Sequence, residues 1–220
     1  MEPLNPVEAR VLGSLVEKEL TTPDYYPLSL NALTNACNQS SNRDPVVTFS
    51  EEAVVRGLDS LREKRLAFMF QGADSRVSRY GHRMVETLGL GRPETAVLCV
   101  LILRGPQTVG EVRGRTGRMH EFPGLADAEA CLDGLAARQA GALAVKLPRQ
   151  AGMKEQRYAH LLSGEVAPAA AAPAASAEPA VLAVRFENER LARLESEGAA
   201  LRAEVAELGR QLAEIRKLLE

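Results

Sequence analysis

The 220-residue chain is long enough for two small domains of roughly 100 residues each, or for one larger one. Its 45% hydrophobic and 25% charged residues are typical of a globular protein, and its formal net charge of −2 lacks the positive excess of a basic DNA-binding footprint. With 4% aromatic residues and no Trp, base-stacking platforms are not expected. The amino terminus has no basic segment and no long apolar run, and no run approaches the ~20 apolar residues of a spanning helix. We therefore expect a cytoplasmic protein with no membrane partner.

The spacing of cysteine and histidine argues against a metal centre or a disulfide framework. No Cys-x-x-Cys pair occurs, and the three histidines are far apart. The cysteines lie singly inside apolar helical patterns: Cys37, Cys99 and Cys131. We expect buried structural thiols, no metal and no cofactor.

No motif of the chain predicts catalysis. A Gly-rich phosphate loop, a nucleophile elbow and metal-ligand spacing are all absent from the sequence. His120 stands beside the acid Glu121, but adjacent residues of a helix or turn point in different directions. We expect a polar cluster that fixes a loop, in a protein that is not an enzyme.

The first half of the chain predicts helices followed by a β-hairpin. Apolar residues recur at helical spacing over residues 6–20 and 28–38, and an extended, strand-like segment follows at 46–49. Ser50 can cap a third helix, with Glu51 and Glu52 placed where the helix dipole favours anions. LAFMF, QGAD and RVSRY then predict strand, turn and strand over residues 66–80. Three helices and a hairpin in this order are typical of a winged helix.

The second half repeats this pattern. The apolar residues of a helix predicted over 93–104 match those of the first helix at a constant offset: Val97, Leu98, Leu101 and Ile102 against Val11, Leu12, Leu15 and Val16. Helices over 108–116, capped by Thr108, and over 125–138 follow, and then a hairpin over 142–161. The sequence predicts a mainly α fold with small β-hairpins, of the α+β class, with tandem winged helix-turn-helix domains at residues 4–86 and 92–163.

The carboxyl-terminal residues predict a linker and a dimerising helix. Residues 164–180 are rich in alanine and proline, which is typical of a linker. Residues 181–220 carry a heptad pattern that predicts a C-terminal coiled-coil helix and a parallel homodimer. The predicted dimerisation residues are Leu191, Leu194, Leu201, Val205, Leu208, Leu212, Ile215 and Leu219. The alternative is one amphipathic helix folded back onto the domains.

The two predicted hairpins, at 66–80 and 142–161, are the wings of the predicted domains. Basic side chains on these wings and on adjoining loops suit phosphate contacts with DNA. The candidates are Arg76, Arg79 and Arg83 at the first wing, Arg149 and Lys154 at the second, and Arg113, Arg115 and Arg118 after the second domain's middle helix. Arg43 and Arg56, beside the third helix, are the candidates for base contacts, and salt bridges to neighbouring acids are the alternative for both.

The outward positions of the third helices oppose DNA binding, because their carboxylates would be repelled by phosphates. They include Glu51, Glu52, Asp59 and Glu63 in the first domain, and Asp127, Glu129 and Asp133 in the second. We predict a weak or regulatory DNA-binding protein, with a protein–protein interaction adaptor as the alternative. One contiguous basic face across both wings favours DNA, and arginines paired to acids favour the adaptor.

Several stretches carry a family resemblance. They are EARVLGSLVEKELTTPDYYPLSLNALTNACNQSSNRDPV, RVSRYGHR, LILRGPQTVGEVRGR, RMHEF and RYAHLLSGEV, which together cover roughly residues 4–166. In these stretches the chain resembles the bacterial YceH-like family, whose domain is of unknown function. The resemblance implies two winged-helix domains in a cytoplasmic protein, and it implies no activity, cofactor or catalytic residue.

Overall fold

The computed structural model describes residues 2–71, 77–149, 153 and 155–164, and it combines helices with two small antiparallel sheets. The α+β class predicted from the sequence is therefore confirmed. Apart from Gly164, the predicted linker at 164–180 and the predicted coiled-coil helix at 181–220 lie outside the described residues. Both stay predictions, as does the division into domains at 4–86 and 92–163.

The first half folds into three helices and a three-stranded sheet. Its elements are α1 (Pro6–Thr21), β1 (Leu28–Ser29), α2 (Leu30–Cys37), α3 (Glu51–Glu63), β2 (Ala67–Phe70) and β3 (Arg79–His82). The central strand is β3, which is antiparallel to both neighbours: Tyr80 lies opposite Leu28 of β1 and opposite Met69 of β2. The hairpin after α3 thus pairs with the short strand that precedes α2.

The second half repeats this order after a short connecting helix, α4 (Met84–Leu88). Its elements are α5 (Arg92–Arg104), α6 (Val109–Thr116), α7 (Leu125–Ala136), β4 (Ala144–Lys146) and β5 (Tyr158–His160). Between α5 and α6, Gln107 forms a single β-bridge to Tyr158, with N–H to carbonyl distances of 2.9 and 2.7 Å. Gln107 therefore takes the place in the second half that β1 takes in the first.

Four of the described α-helices, α1, α2, α3 and α6, begin at a residue whose side chain caps the first turn. As predicted, the Ser50 hydroxyl accepts a hydrogen bond from the first turn of α3, at 3.3 Å. The Thr108 hydroxyl accepts from Glu111 N at 3.2 Å, and the Glu111 carboxylate accepts from Thr108 N at 2.9 Å. Asn5 and Glu8 form the same reciprocal pair at the start of α1. These bonds satisfy N–H groups that the first turn of a helix leaves unpaired.

The segment 46–49, predicted as strand-like, joins no sheet within the described chain. The Asn38 side chain replaces a strand partner: its amide donates to Phe49 O at 2.9 Å, and its carbonyl oxygen accepts from Phe49 N at 2.7 Å. The strand that completes the first sheet is β1, in a stretch where apolar spacing predicts the start of the second helix. Ser29 ends that strand and caps α2, which therefore begins two residues later than predicted.

The buried core runs through both halves because α1 packs against α5. The predicted stripe of α1 is fully buried: Val11, Leu12, Leu15 and Val16. In α5 every residue from Thr95 to Leu103 is buried, as its nearly continuous apolar sequence requires. Gly13 permits the close approach, since a Cβ at this position would lie 2.8 Å from Leu103 Cδ2. At 13 residues α5 is a core helix, and no helix of the described part has the length and apolarity to cross a membrane.

Candidate macromolecule-binding surfaces

The solvent-facing side of α3 carries mainly carboxylates. Val54, Leu58 and Leu61 point into the core. The exposed charged residues of this helix are Glu51, Glu52, Arg56, Asp59, Arg62 and Glu63. Arg62 lies 3.1 Å from Asp59, whereas Arg56 has no polar partner among the residues that the structure describes. The helix that would read bases in a DNA complex therefore presents a net negative surface.

The corresponding helix of the second half, α7, contains no basic residue. Asp127 and Asp133 are exposed and Glu129 is half-buried. These acids also stabilise the fold, because Asp133 accepts a hydrogen bond from the Tyr158 hydroxyl at 2.7 Å and Glu129 lies 3.1 Å from Lys146 Nζ. The outer side of α7 is thus acidic, and two of its carboxylates, those of Glu129 and Asp133, are held by residues of the second hairpin.

Arg43, a predicted base contact, is buried in the loop after α2, and its side chain has no exposed surface. Its guanidinium donates to the two carboxylate oxygens of Glu17 at 2.6 and 3.0 Å and to Ala36 O at 2.9 Å. The salt bridge considered from the sequence is therefore the arrangement found, although the acid belongs to α1. Arg43 satisfies a carbonyl at the end of α2 and is not offered to a ligand, so we leave it out of any nucleic-acid interface.

Two of the three predicted arginines of the first wing are described, and both are exposed. Arg79 donates to Pro27 O at 2.9 Å and so connects β3 to the segment before β1. The Arg83 guanidinium lies over the ring of Phe68, 5.6 Å from its centroid, within the range of a cation–π contact. Arg76 lies outside the described residues. The two arginines are held locally by a carbonyl and a ring.

The three arginines predicted near α6 have different surroundings. Arg113 donates to two backbone carbonyls of the loop before α7, both at 3.3 Å. Arg115 lies 3.5 Å from Glu111. Arg118 is exposed, and no polar partner is found for it in the described part of the chain. One of the three is thus available to a ligand without breaking a contact.

The second hairpin adds little free positive charge. Arg149 Nε donates to Met153 O at 2.8 Å, and Lys154 lies outside the described residues. Arg157, also in this hairpin, pairs with Glu111 at 2.9 Å. Within the described chain the predicted basic residues do not form one free face, and most are bound to carboxylates, carbonyls or a ring.

Two further basic residues, which the sequence analysis did not single out, lie near Arg115 and Arg118. Lys18 of α1 and Arg104 of α5 line a cleft together with Arg115 and Arg118. The sequence contains a signal for them: Lys18 and Arg104 occupy equivalent positions in the two repeats, at the offset that relates Val11 to Val97.

The thiols are poor nucleophiles because burial disfavours the thiolate. Cys37 and Cys99 are buried as expected, whereas Cys131 is only half-buried. Burial raises the pKa of both Cys37 and Cys131 to about 11, and it raises the pKa of Cys99 as well. His120 packs edge-on against Phe122 with 4.6 Å between ring centroids, which agrees with a loop-fixing cluster. Among the described residues no group of three or more His, Cys, Asp or Glu could hold a metal. The absence of an enzymatic activity and of a cofactor stays a prediction.

These observations define an α+β protein built from two similar halves, whose third helices are acidic on the outside. The chain belongs to the family described as "Protein of unknown function, DUF480", whose sequence pattern matches residues 4–153. The predicted membership in a bacterial family of unknown function is thereby confirmed.

Bacterial relatives match the chain over most of its length. It is 57% identical over 217 residues to a UPF0502 protein of Geotalea uraniireducens, covering 99% of this chain and 98% of the relative. It is 55% identical over 199 residues to a UPF0502 protein of Opitutus terrae (90% and 83%) and to one of Geobacter sulfurreducens (90% and 90%). These relatives bear the name UPF0502 protein, and the name YceH is not among them.

Proposed function

We propose that the chain is a cytoplasmic, non-enzymatic protein with tandem winged-helix domains that acts as an adaptor for a partner protein with a basic surface. Topology supports the winged-helix part of this proposal. In each half a strand or bridge precedes the second helix and pairs with the far strand of the hairpin. A three-helix unit whose hairpin is anchored in this way is typical of a winged helix.

The observation that carries the choice of partner is the acidic outer side of both third helices. In a winged helix bound to DNA, this helix enters the major groove, between two rows of phosphates. Duplex DNA carries one negative charge per about 1.7 Å of its axis, so the carboxylates of α3 and α7 would be repelled there. A protein partner with exposed Lys and Arg complements the same surfaces, and such complementarity favours encounter and register.

The pairing of the arginines supports the same conclusion. Phosphate contacts need cations that are free to leave their resting partners. Arg43 is fully engaged by Glu17 and backbone carbonyls, and Arg115 and Arg157 share the carboxylate of Glu111. Redirecting these side chains to DNA would leave carboxylates unpaired, which subtracts from the binding energy.

Weak DNA binding is the second candidate, and the unpaired arginines of the first half favour it. Arg56 and Arg65 are exposed and have no side-chain polar partner within the described chain, and Arg83 contacts only a ring. These three side chains suit phosphate contacts near α3 and the first wing. The second half offers no comparable group beside α7, so this candidate rests on one domain.

Photo-crosslinking in the native host tests the proposed function. A photo-reactive residue at the exposed Ala130 of α7 should form an adduct with a protein. The variant Asp127→Asn with Asp133→Asn keeps hydrogen-bond acceptors and removes two charges, so the adduct should be lost. Asp24→Asn with Glu121→Gln removes two exposed charges elsewhere and should leave the adduct unchanged. An adduct with nucleic acid alone, or a protein adduct that survives the α7 variant, would contradict the adaptor proposal.

A further inference from the structure

A cleft of about 450 Å³ lies where the carboxyl-terminal ends of α1, α5 and α6 meet the loop after α2. This volume is in the range of small-molecule sites, about 300–1,000 Å³. Buried apolar side chains form part of its wall, namely Val100, Leu103 and Met119. No residue of α3 or α7 lines the cleft, so it is separate from the surfaces proposed above for a protein partner.

The cleft is rich in positive charge. Four cationic side chains line it: Lys18, Arg104, Arg115 and Arg118. The one lining carboxylate, Glu17, is already bound by both terminal nitrogens of Arg43. Burial, and after it the positive charge of Arg115, lowers the pKa of Arg104. An anion in the cleft would relieve this repulsion between cations.

Helix ends alone do not account for these cations. Basic residues in a last turn offset the partial negative charge of the helix end, about −0.5 for each helix. Three ends amount to about −1.5, which is smaller than the charge of four cations. In α1 the hydroxyls of Thr21 and Thr22 already donate to last-turn carbonyls, at 2.7 and 3.1 Å. Arg118 follows the end of α6 and has no polar partner in the described chain.

The loop after α2 adds neutral hydrogen-bond donors. The Gln39 side-chain oxygen accepts from Arg43 at 3.0 Å, and the Asn42 side-chain oxygen accepts from Arg104. The amide nitrogens of both side chains have no acceptor among the described residues. The backbone of Asn42 is in the left-handed conformation, with φ of 61°, which Asn adopts more readily than most residues. Both side chains can therefore donate to an anion without breaking the bonds that fix their orientation.

We propose that this cleft binds a small phosphorylated molecule. Its phosphate contacts Arg104 and Arg118, the nearby Arg115 adds positive charge while it keeps its contact with Glu111, and the amides of Gln39 and Asn42 donate to the remaining oxygens. Its apolar part lies against the wall formed by the α5 side chains. Arginine suits this role because its planar fork matches the geometry of phosphate. The site does not depend on the proposed adaptor function, since it lies apart from α3 and α7.

Titration of the full-length protein with phenyl phosphate tests the site. The probe joins one phosphate to one apolar ring, and backbone-amide NMR shifts report where it binds. We expect shifts at Asn42, Val100, Leu103 and Gly117, with saturation at about millimolar concentration or below. Inorganic phosphate should shift the same amides at higher concentration, and phenol, which lacks the phosphate, should leave them unchanged.

Two variants and two controls locate the binding. Arg104→Gln with Arg118→Gln should weaken phenyl phosphate binding by about tenfold or more, whereas Arg62→Gln with Arg65→Gln removes two arginines outside the cleft and should not. Gly114 lines the cleft within α6, and its Cβ would meet nothing within 4 Å. Gly114→Leu should therefore add a side chain at the cleft with no clash at its Cβ, and we expect this side chain to block the cleft.

The control for this blocking variant is Gly134→Leu in α7, where an added Cβ also meets nothing within 4 Å. Both substitutions replace a helical glycine and should raise the melting temperature, yet only Gly114→Leu should abolish the shifts. A duplex of about 20 base pairs, long enough to span one domain, serves as the alternative source of phosphate. Cleft shifts caused by the duplex and not by phenyl phosphate would overturn the proposal, as would shifts from phenol or undiminished binding by the cleft variants.

Discussion

At the scale of single residues, the guanidinium of Arg43 connects three parts of the first half, while that of Arg56 lies exposed on α3. Arg43 donates to Glu17 of α1, to Ala36 at the end of α2 and to Gln39 of the following loop. Arg10 supports the same region by donating to Cys37 O at 3.1 Å. Two of the carbonyls at the end of α2, those of Ala36 and Cys37, are thus satisfied by arginines from elsewhere in the chain.

This contrast predicts different stabilities for two alanine variants. Arg43→Ala leaves the Glu17 carboxylate and the Ala36 carbonyl without their donor, so the free energy of unfolding should fall by about 3–5 kcal/mol. Arg56→Ala removes an exposed side chain with no polar partner in the described chain and should change it by about 0.5 kcal/mol or less. Urea unfolding of both variants measures the difference. Equal midpoints would show that the Arg43 contacts do not stabilise the fold.

His160 predicts a pH dependence of stability. Its Nδ1 is shielded in β5 without a hydrogen-bond partner among the described residues, and burial lowers the pKa of its side chain from 6.5 to about 4. As the pH falls below 6.5, the unfolded chain binds a proton that the folded chain does not, so stability is lost between pH 6.5 and 4. The loss between pH 7 and pH 5 should be about 2 kcal/mol.

Urea unfolding at these two pH values, for the parent and for His160→Gln, measures this contribution. The variant should lose less stability than the parent between pH 7 and pH 5, because it has no group that titrates at this position. The same loss in both proteins would place the acid sensitivity at other groups.

The partners of Arg43 and Arg10 could not be derived from the sequence. Arg43 was a candidate for a base contact because it precedes α3, and its actual partner, Glu17, lies in another helix far along the chain. Side-chain pairs at such separation depend on how α1, α2 and the loop between α2 and α3 are packed. The acidic character of α3 and α7, in contrast, followed directly from helical spacing, since the apolar stripe leaves the carboxylates on the opposite side.

At the scale of elements, helices and hairpins followed from periodicity and capping, and the smallest strand did not. Ser50 and Thr108 mark the starts of α3 and α6 as predicted. β1 has only two residues, too few for a period of two to be seen, and it exists because β3 presents its free edge to it. Gln107, which replaces β1 in the second half, carries no local strand signal at all.

The close approach of α1 and α5 at Gly13 gives a prediction for this scale. Gly13→Ala places a Cβ 2.8 Å from Leu103 Cδ2 and 2.9 Å from Ile102 Cγ2, so the helices must separate. The free energy of unfolding should fall by about 1–3 kcal/mol even though alanine favours a helix. In Gly134→Ala the new Cβ meets nothing within 4 Å, and stability should rise by about 1 kcal/mol. Urea unfolding distinguishes them, and a gain in both variants would contradict the α1–α5 packing.

At the scale of the whole molecule, the two halves share one buried cluster, because α1 and α5, the first helices of the two halves, pack against each other. The constant offset between their apolar stripes predicted that each half buries this helix. It did not predict that the two helices bury one another, since periodicity identifies which face is buried and not what covers it. The heptads at 181–220, which lie outside the described residues, predict a further association surface.

Sedimentation tests the predicted dimer. The full chain should be dimeric at about micromolar concentration, because a seam of leucine, isoleucine and valine is stabilised when a second helix buries it. A chain that ends at Gly164 should be monomeric under the same conditions. If both chains are monomeric, the result would favour the helix folded back onto its own chain. If both are dimeric, the interface would lie within residues 1–164.

In the proposed function, α3 and α7 face a basic protein and not the phosphates of DNA. The sharpest test is a titration of duplex DNA at about 50 mM salt with the parent and with Glu52→Lys plus Glu63→Lys. The charge-matched control is Asp24→Lys plus Glu121→Lys, which adds the same charge outside α3. We expect the parent to bind DNA more weakly than about 1 μM, and the α3 variant to bind more tightly than the control. Nanomolar binding by the parent, or an α3 variant that binds no better than the control, would contradict it.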